Sequence, residues 1–130
     1  MPRSSLEAFS ALWRAYGEGR LDRSLDLVAE DCEVTFADGT TALHGHNGVR
    51  DWLATERREW KTITITYDEI HEERPGCVLG VGNLTASSAD GAAEIDCRVA
   101  FVAEFDSGLL VRGRMFGDRD AAVRYVHADS

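Results

Sequence analysis

The sequence predicts a single α+β domain, with three helices ahead of a mostly antiparallel sheet. Up to about residue 60, apolar residues recur at intervals of three and four, which is the spacing of a helix face. From Ile63 onward they alternate with polar residues, which is the period of a strand. Helices followed by a run of strands are typical of an α+β architecture, and 130 residues suffice for one core.

The first two helices are predicted from their ends and from their apolar faces. Ser4 and Glu7 have the spacing of a capping box, and the helix that they open ends at Gly17 and Gly19. Its apolar face consists of Leu6, Phe9, Trp13 and Tyr16. A second, shorter helix ends near Asp31. Its apolar stripe consists of Leu21, Leu25 and Val28.

Two short strands and a third helix follow. A strand is predicted over residues 34–36, where apolar and polar residues alternate up to a turn at Asp38. Residues 40–43 form a second brief strand. The third helix is predicted to be capped by His46 or Asn47.

The remainder of the chain is predicted to be a sheet closed by one more helix. The alternation of apolar and polar residues predicts strands over residues 63–68, 77–86, 92–105 and 109–116. A tight turn at residues 106–108 joins the last two strands. Asp118 is placed to begin a final helix that runs to residue 126.

Charge and cysteine content exclude several classes of function. The net charge of -9 opposes binding to nucleic acid or to an anionic membrane, because phosphate contacts need a basic patch. The three cysteines, Cys32, Cys77 and Cys97, are odd in number and widely spaced, so we interpret them as core residues. We predict no metal and no cofactor. Since the chain begins without a signal-type apolar stretch, a cytoplasmic location is expected.

Several stretches resemble the SnoaL-like branch of the NTF2-like superfamily. These are residues 27–34, 45–52, 105–111 and 115–118, and their order along the chain is the order of the family. The resemblance covers residues 6–126. It implies a half-closed cone in which three N-terminal helices pack on a curved mixed, mostly antiparallel sheet. The superfamily includes polyketide cyclases, ketosteroid isomerases, scytalone dehydratases, epoxide hydrolases and non-enzymatic modules, so the fold alone does not fix the function.

The catalytic sets of these relatives do not carry over to this sequence. The carboxylate positions of the steroid isomerases fall at Phe36 and Phe101, neither of which transfers protons. The epoxide hydrolases use an Arg-x-Asp pair, whereas here Asp96 precedes Arg98. The cyclases place an aspartate on a late strand, where this chain has Arg112.

The sequence offers three candidate catalytic residues in segments that border the cavity in this family. Tyr16 is a candidate proton carrier or a core residue. Asp38 is a candidate acid or a turn former, and His44 is a candidate base or a surface residue. The predicted ligand-binding residues are Trp13, Phe36, Trp52, Val99, Phe101, Arg112, Arg114 and Phe116.

The two arginines are the least usual members of this set. If Arg112 and Arg114 point into the cone, their charge needs a ligand oxygen as a partner. If a shift of one residue turns them outward, their heads lie in water.

The opposite face of the last strands is too apolar to be left in water. Its apolar residues are Ala100, Val102, Leu109, Val111 and Met115. Together with the resemblance, this face predicts a homodimer. The predicted function is binding of a small apolar or oxygenated organic molecule, with acid/base isomerisation, cyclisation or hydrolysis. The alternative is a non-catalytic ligand-binding or dimerisation module.

Overall fold

The computed structural model describes residues 4–18 and 20–128, with the backbone alone at residue 21 and residues 56–62. The helices are α1 (Ser5–Gly17), α2 (Leu21–Asp26), α3 (Gly45–Glu59) and α4 (Arg119–His127). The strands are β1 (Val28–Phe36), β2 (Thr41–His44), β3 (Trp60–Arg74), β4 (Cys77–Ser88), β5 (Glu94–Asp106) and β6 (Leu109–Phe116). Among the described residues, no helix is long and apolar enough to cross a membrane.

The six strands form one open mixed sheet in the order β2-β1-β6-β5-β4-β3. Only β1 and β6 run parallel, and the other neighbouring pairs are antiparallel. This confirms the predicted α+β class. The turn between β5 and β6 has positive φ at both Ser107 (54°) and Gly108 (81°), which is the geometry of a tight hairpin turn.

The predicted helix starts at Ser4 and Asp118 are confirmed by side-chain caps. The Ser4 hydroxyl accepts a hydrogen bond from the Glu7 backbone N–H (3.2 Å) and donates one to the Glu7 carboxylate (2.9 Å). The Asp118 carboxylate accepts a hydrogen bond from the Ala121 N–H (2.7 Å). Each cap satisfies a backbone donor that the first helical turn leaves without a partner. Of the two glycines predicted to end α1, Gly17 is its last residue, and Gly19 lies outside the described residues.

Two predicted helix boundaries are wrong because tertiary pairing overrides the local pattern. The second helix was expected to reach Asp31, but it ends at Asp26 because Val28 already pairs with Leu110 of β6. The third helix begins at Gly45 rather than after a cap at His46 or Asn47. The His46 imidazole lies 3.0 Å from the Val28 carbonyl oxygen, so its side chain joins the helix to β1 instead.

Apolar residues are buried on both faces of the sheet. On the inner face, α1, α2 and α3 cover a core that includes Phe9, Leu27 and Phe101. On the outer face, α4 packs Ala122 and Val126 against a second cluster. The sheet residues of that cluster are Cys77, Leu79, Val81, Ala100, Val102 and Phe116. The molecule is therefore three layers thick at its C-terminal helix.

Polar side-chain contacts join α4 to the edge strand β3. The Arg119 guanidinium lies 3.2 Å from the Glu69 carboxylate, and the His127 imidazole lies 3.5 Å from that of Glu73. A hydrogen bond from His71 and the charge of Arg119 hold the pKa of Glu69 below its usual range. These exposed pairs orient the helix, while the buried apolar contacts supply most of its attachment.

The position of α4 corrects the surface predicted for a dimer. Ala100 and Val102 were expected to face a second copy of the chain, but α4 of the same chain buries them to 0% and 2% exposure. Met115 was also assigned to that surface, and it lines a cavity on the inner face. A dimer that used Val102 would first have to displace α4.

Candidate functional site

The inner face of the sheet and the helices above it enclose a cavity of about 300 Å³. Its walls come from α1, α2 and α3 and from all six strands. The surface that it presents is almost entirely carbon. The lining residues are Leu12, Trp13, Tyr16, Ser24, Val28, Cys32, Val34, Phe36, Ala42, Leu43, Val49, Trp52, Leu53, Ile63, Ile65, Leu84, Val99, Phe101, Leu110 and Met115.

The structure brings together six of the eleven predicted site residues. Those that line the cavity are Trp13, Tyr16, Phe36, Trp52, Val99 and Phe101. Phe36 is 41% exposed, so it lies where the cavity meets solvent. The other five lie outside the lining, and they are Asp38, His44, Arg112, Arg114 and Phe116. Five of the six aromatic members of the predicted set therefore line the cavity, whereas Phe116 and the charged members do not.

Several lining residues were missed, although the sequence carries a signal for some of them. Ile63 and Ile65 alternate with threonines on β3, and Leu84 is the cross-strand partner of Ile65. That alternation identifies one face of the strand, and the order of strands in the sheet is needed to show which face turns inward. Cys32, Leu43 and Leu110 give no comparable local signal.

An extra residue in β6 explains why both arginines point away from the cavity. Leu110 pairs with Phe105 of β5, but Arg112 pairs with Glu104, so Val111 has no partner of its own. Such a bulge exchanges the two faces of the strand beyond it. Leu110 and Met115 consequently both point inward, although they are five residues apart. Each strand residue after Val111 lies on the face opposite to the one that uninterrupted alternation predicts.

The predicted positions of Arg112 and Phe116 in the cavity are wrong for this reason. The Arg112 side chain is 63% exposed and lies 3.5 Å from the Glu104 carboxylate. Phe116 is buried on the outer face, where its ring centroid lies 5.4 Å from that of Tyr125 in α4. Neither side chain reaches a ligand in the cavity.

Arg114 holds the β1–β2 turn and α4 together. Its Nη2 donates a hydrogen bond to the Ala37 carbonyl oxygen (2.9 Å). Its guanidinium carbon lies 4.8 Å from the Tyr125 ring centroid and 5.8 Å from that of Phe116. This cation–π arrangement gives the arginine a structural role outside the cavity.

Replacing Arg114 with methionine is therefore expected to lower stability and to leave ligand binding unchanged. Loss of one hydrogen bond and of the cation–π contact should cost about 1 kcal/mol of unfolding free energy. Urea unfolding measures that loss, with Arg112→Met as the exposed control expected to cost less than about 0.5 kcal/mol. If Arg114→Met lost ligand binding without losing stability, we would conclude that the Arg114 side chain lies in the cavity.

The two candidate proton carriers outside the lining have ordinary surface positions. The Asp38 carboxylate accepts a hydrogen bond from the Thr40 backbone N–H (2.9 Å), as a turn former does. The hydroxyl and the backbone N–H of Thr40 hold the pKa of Asp38 below its usual range. His44 is exposed at the end of β2. The geometry therefore favours a turn role for Asp38 and a surface role for His44.

The cavity lining provides little for proton transfer. Ser24 donates its hydroxyl hydrogen to the Arg20 carbonyl oxygen (2.9 Å), so that hydroxyl is already engaged. Burial raises the pKa of the Cys32 thiol, which keeps it protonated and a poor nucleophile. Tyr16 is the remaining hydroxyl on the wall. Among the described lining residues there is neither a carboxylate nor an imidazole.

A larger depression of about 740 Å³ lies between α1 and α2, but it has the character of a solvated surface. Charged side chains dominate its lining, including Glu7, Arg14, Glu18 and Arg23. Apolar ligands favour concave carbon surfaces with few polar groups. The smaller cavity in the inner face is therefore the candidate site.

Taken together, the helix-covered mixed sheet and its apolar cavity define a small α+β domain of the cone type. The family model for the SnoaL-like domain matches residues 7–113, and the chain belongs to this family. No curated protein matches the chain.

Solved structures share the fold at low sequence identity. A protein from Novosphingobium aromaticivorans, described as uncharacterized and of cystatin fold, has a TM-score of 0.79 and 21% identity, covering 87% of this chain and 97% of its own. A Mycobacterium tuberculosis protein in complex with estradiol-17beta-hemisuccinate has a TM-score of 0.76 and 20% identity, covering 92% and 98%. A computationally designed 17-OHP binder has a TM-score of 0.75 and 21% identity, covering 92% and 96%.

Proposed function

We propose that the chain binds one small, predominantly apolar organic molecule in the cavity of the inner face and does not catalyse acid/base chemistry there. The observation that carries this proposal is the carbon surface of a cavity of about 300 Å³. That volume lies at the lower end of the range of ligand pockets, about 300–1,000 Å³. The ligand-bound relatives support the proposal, since one is described with an estradiol derivative and another as a 17-OHP binder.

The side chains that line the cavity favour ligand binding over catalysis. General acid/base catalysis needs a titratable group within hydrogen-bonding reach of the substrate. The described part of the lining offers the Tyr16 phenol but neither a carboxylate nor an imidazole. The aromatic rings of Trp13, Phe36, Trp52 and Phe101 instead provide contact area for an apolar skeleton.

Binding of tetralin, a two-ring hydrocarbon, tests this function. We expect saturable binding at one site, with a dissociation constant of about 0.1 mM for a ligand of this size. Titration followed by ¹H–¹⁵N NMR should shift the indole N–H signals of Trp13 and Trp52, which line the cavity, and leave the backbone signals of α4 in place. Absence of saturable binding up to the solubility limit of tetralin would contradict the proposal.

A further inference from the structure

Two hydrogen-bond donors lie buried at the α1–β3 side of the cavity without a partner. Trp13 Nε1 and the Tyr67 hydroxyl each have no hydrogen-bond acceptor among the residues that the structure describes. Native proteins satisfy nearly all buried polar atoms, so a pair of this kind calls for a physical reason. Leaving such a donor without a partner costs about 1–3 kcal/mol.

The two donors belong to neighbouring rings. The centroids of Trp13 and Tyr67 lie 5.3 Å apart. Trp13 itself lines the cavity, and Tyr67 follows the lining residue Ile65 on the inward face of β3. Further rings surround the pair, with Phe9 at 5.1 Å from Tyr67 and Phe101 at 5.3 Å from Trp13. An N–H or O–H that meets only aromatic rings recovers a fraction of a normal hydrogen bond.

Both groups remain donors throughout the physiological range. An indole N–H does not accept hydrogen bonds and does not titrate. Burial, with a smaller contribution from the neighbouring Tyr16, raises the pKa of Tyr67 well above its ordinary value. The site is therefore equipped for a neutral acceptor and not for an anion that must be matched by positive charge.

We propose that the ligand carries a carbonyl oxygen on its apolar skeleton, and that Trp13 Nε1 and the Tyr67 hydroxyl donate hydrogen bonds to that oxygen. The Trp13 ring lines the cavity and the Tyr67 ring packs against it, so we place the ligand oxygen beside this pair of rings. A ketone fits this arrangement because its oxygen has two acceptor sites and no hydrogen that needs a partner. This inference rests on the proposed binding function and adds the chemical class of the ligand.

A matched pair of probes, 1-tetralone and tetralin, tests the inference because the two differ in the ketone oxygen. In the wild-type protein the Trp13 indole N–H signal, assigned by its loss in Trp13→Phe, should move further downfield with 1-tetralone than with tetralin, whose aromatic ring alone perturbs it. Tyr67→Phe should weaken 1-tetralone binding about 3- to 10-fold, the effect of one net hydrogen bond, and change tetralin binding less than about twofold.

The melting temperature supplies a second readout, which reports whether the Tyr67 hydroxyl is buried without a partner in the ligand-free protein. Since Tyr67→Phe removes a buried hydroxyl without a partner and keeps the ring, the ligand-free variant should melt at a higher temperature than wild type. Tyr125→Phe, which alters a tyrosine in the outer-face cluster, is the control and should leave both affinities unchanged.

The outcomes separate the two proposals. If tetralin binds but Tyr67→Phe leaves the 1-tetralone affinity unchanged, the ketone inference falls and the binding function stands. If neither probe binds the wild-type protein, the binding function falls and the ketone inference falls with it.

Discussion

Replacing Val102 with lysine is expected to unfold the domain rather than to separate a dimer. Val102 is 2% exposed and lies in the outer-face cluster that α4 covers. A lysine there would bury an ammonium group among Ala122, Val126 and the strand residues of that cluster, where its desolvation is costly. The expected loss is about 4 kcal/mol or more, a large part of the stability of a domain of this size.

Urea unfolding and size-exclusion chromatography measure this effect together. Leu109→Lys is the control, because Leu109 is 36% exposed and a lysine there can extend into water. We expect it to cost about 1 kcal/mol or less. If Val102→Lys kept its unfolding midpoint and changed only its elution volume, α4 would not cover this face in solution, and the face would be free to bind a second copy.

The contrast between the two variants shows what the sequence could and could not predict about this sheet. Local patterns predicted β6 at its observed bounds and the cap at Asp118, because strand alternation and capping depend on residues close together in the chain. They also showed that the outer face is apolar. They could not show which partner covers it, since the packing of α4 against β5 is a long-range contact.

The arginines illustrate a second limit. An alternation of period two assigns faces correctly only while the pairing stays in register. The unpaired Val111 in β6 breaks that register, and no residue in the stretch Leu109–Phe116 signals a bulge, because the glycine of this strand, Gly113, follows it. The prediction for Arg112 and Arg114 therefore failed for a reason that only the strand pairing reveals.

The apolar part of the site was more predictable than the polar part. Large aromatic residues on inward faces line the cavity because their burial is strongly favourable wherever the register holds. The lack of a hydrogen-bond partner at Trp13 Nε1 and at the Tyr67 hydroxyl could not be predicted from the sequence, since an indole or phenol usually has a partner when it is buried. Their lack of one is a property of the packed structure.

Filling the cavity from within should abolish ligand binding while the fold persists. Val99 lines the cavity, so a larger side chain at this position extends into it. In Val99→Phe the added ring occupies volume that tetralin needs. We expect the tetralin affinity to fall at least about tenfold, with the unfolding free energy within about 1 kcal/mol of wild type because the ring fills empty space.

Val123→Phe makes the same chemical change on α4, away from the cavity, and should bind tetralin as wild type does. Titration of the two variants under identical conditions therefore isolates the position of the added ring from its hydrophobicity. Unchanged binding in Val99→Phe would place the ligand elsewhere, with the depression between α1 and α2 as the next surface to examine. Loss of binding in Val99→Phe alone would establish that the apolar cavity is where the molecule binds.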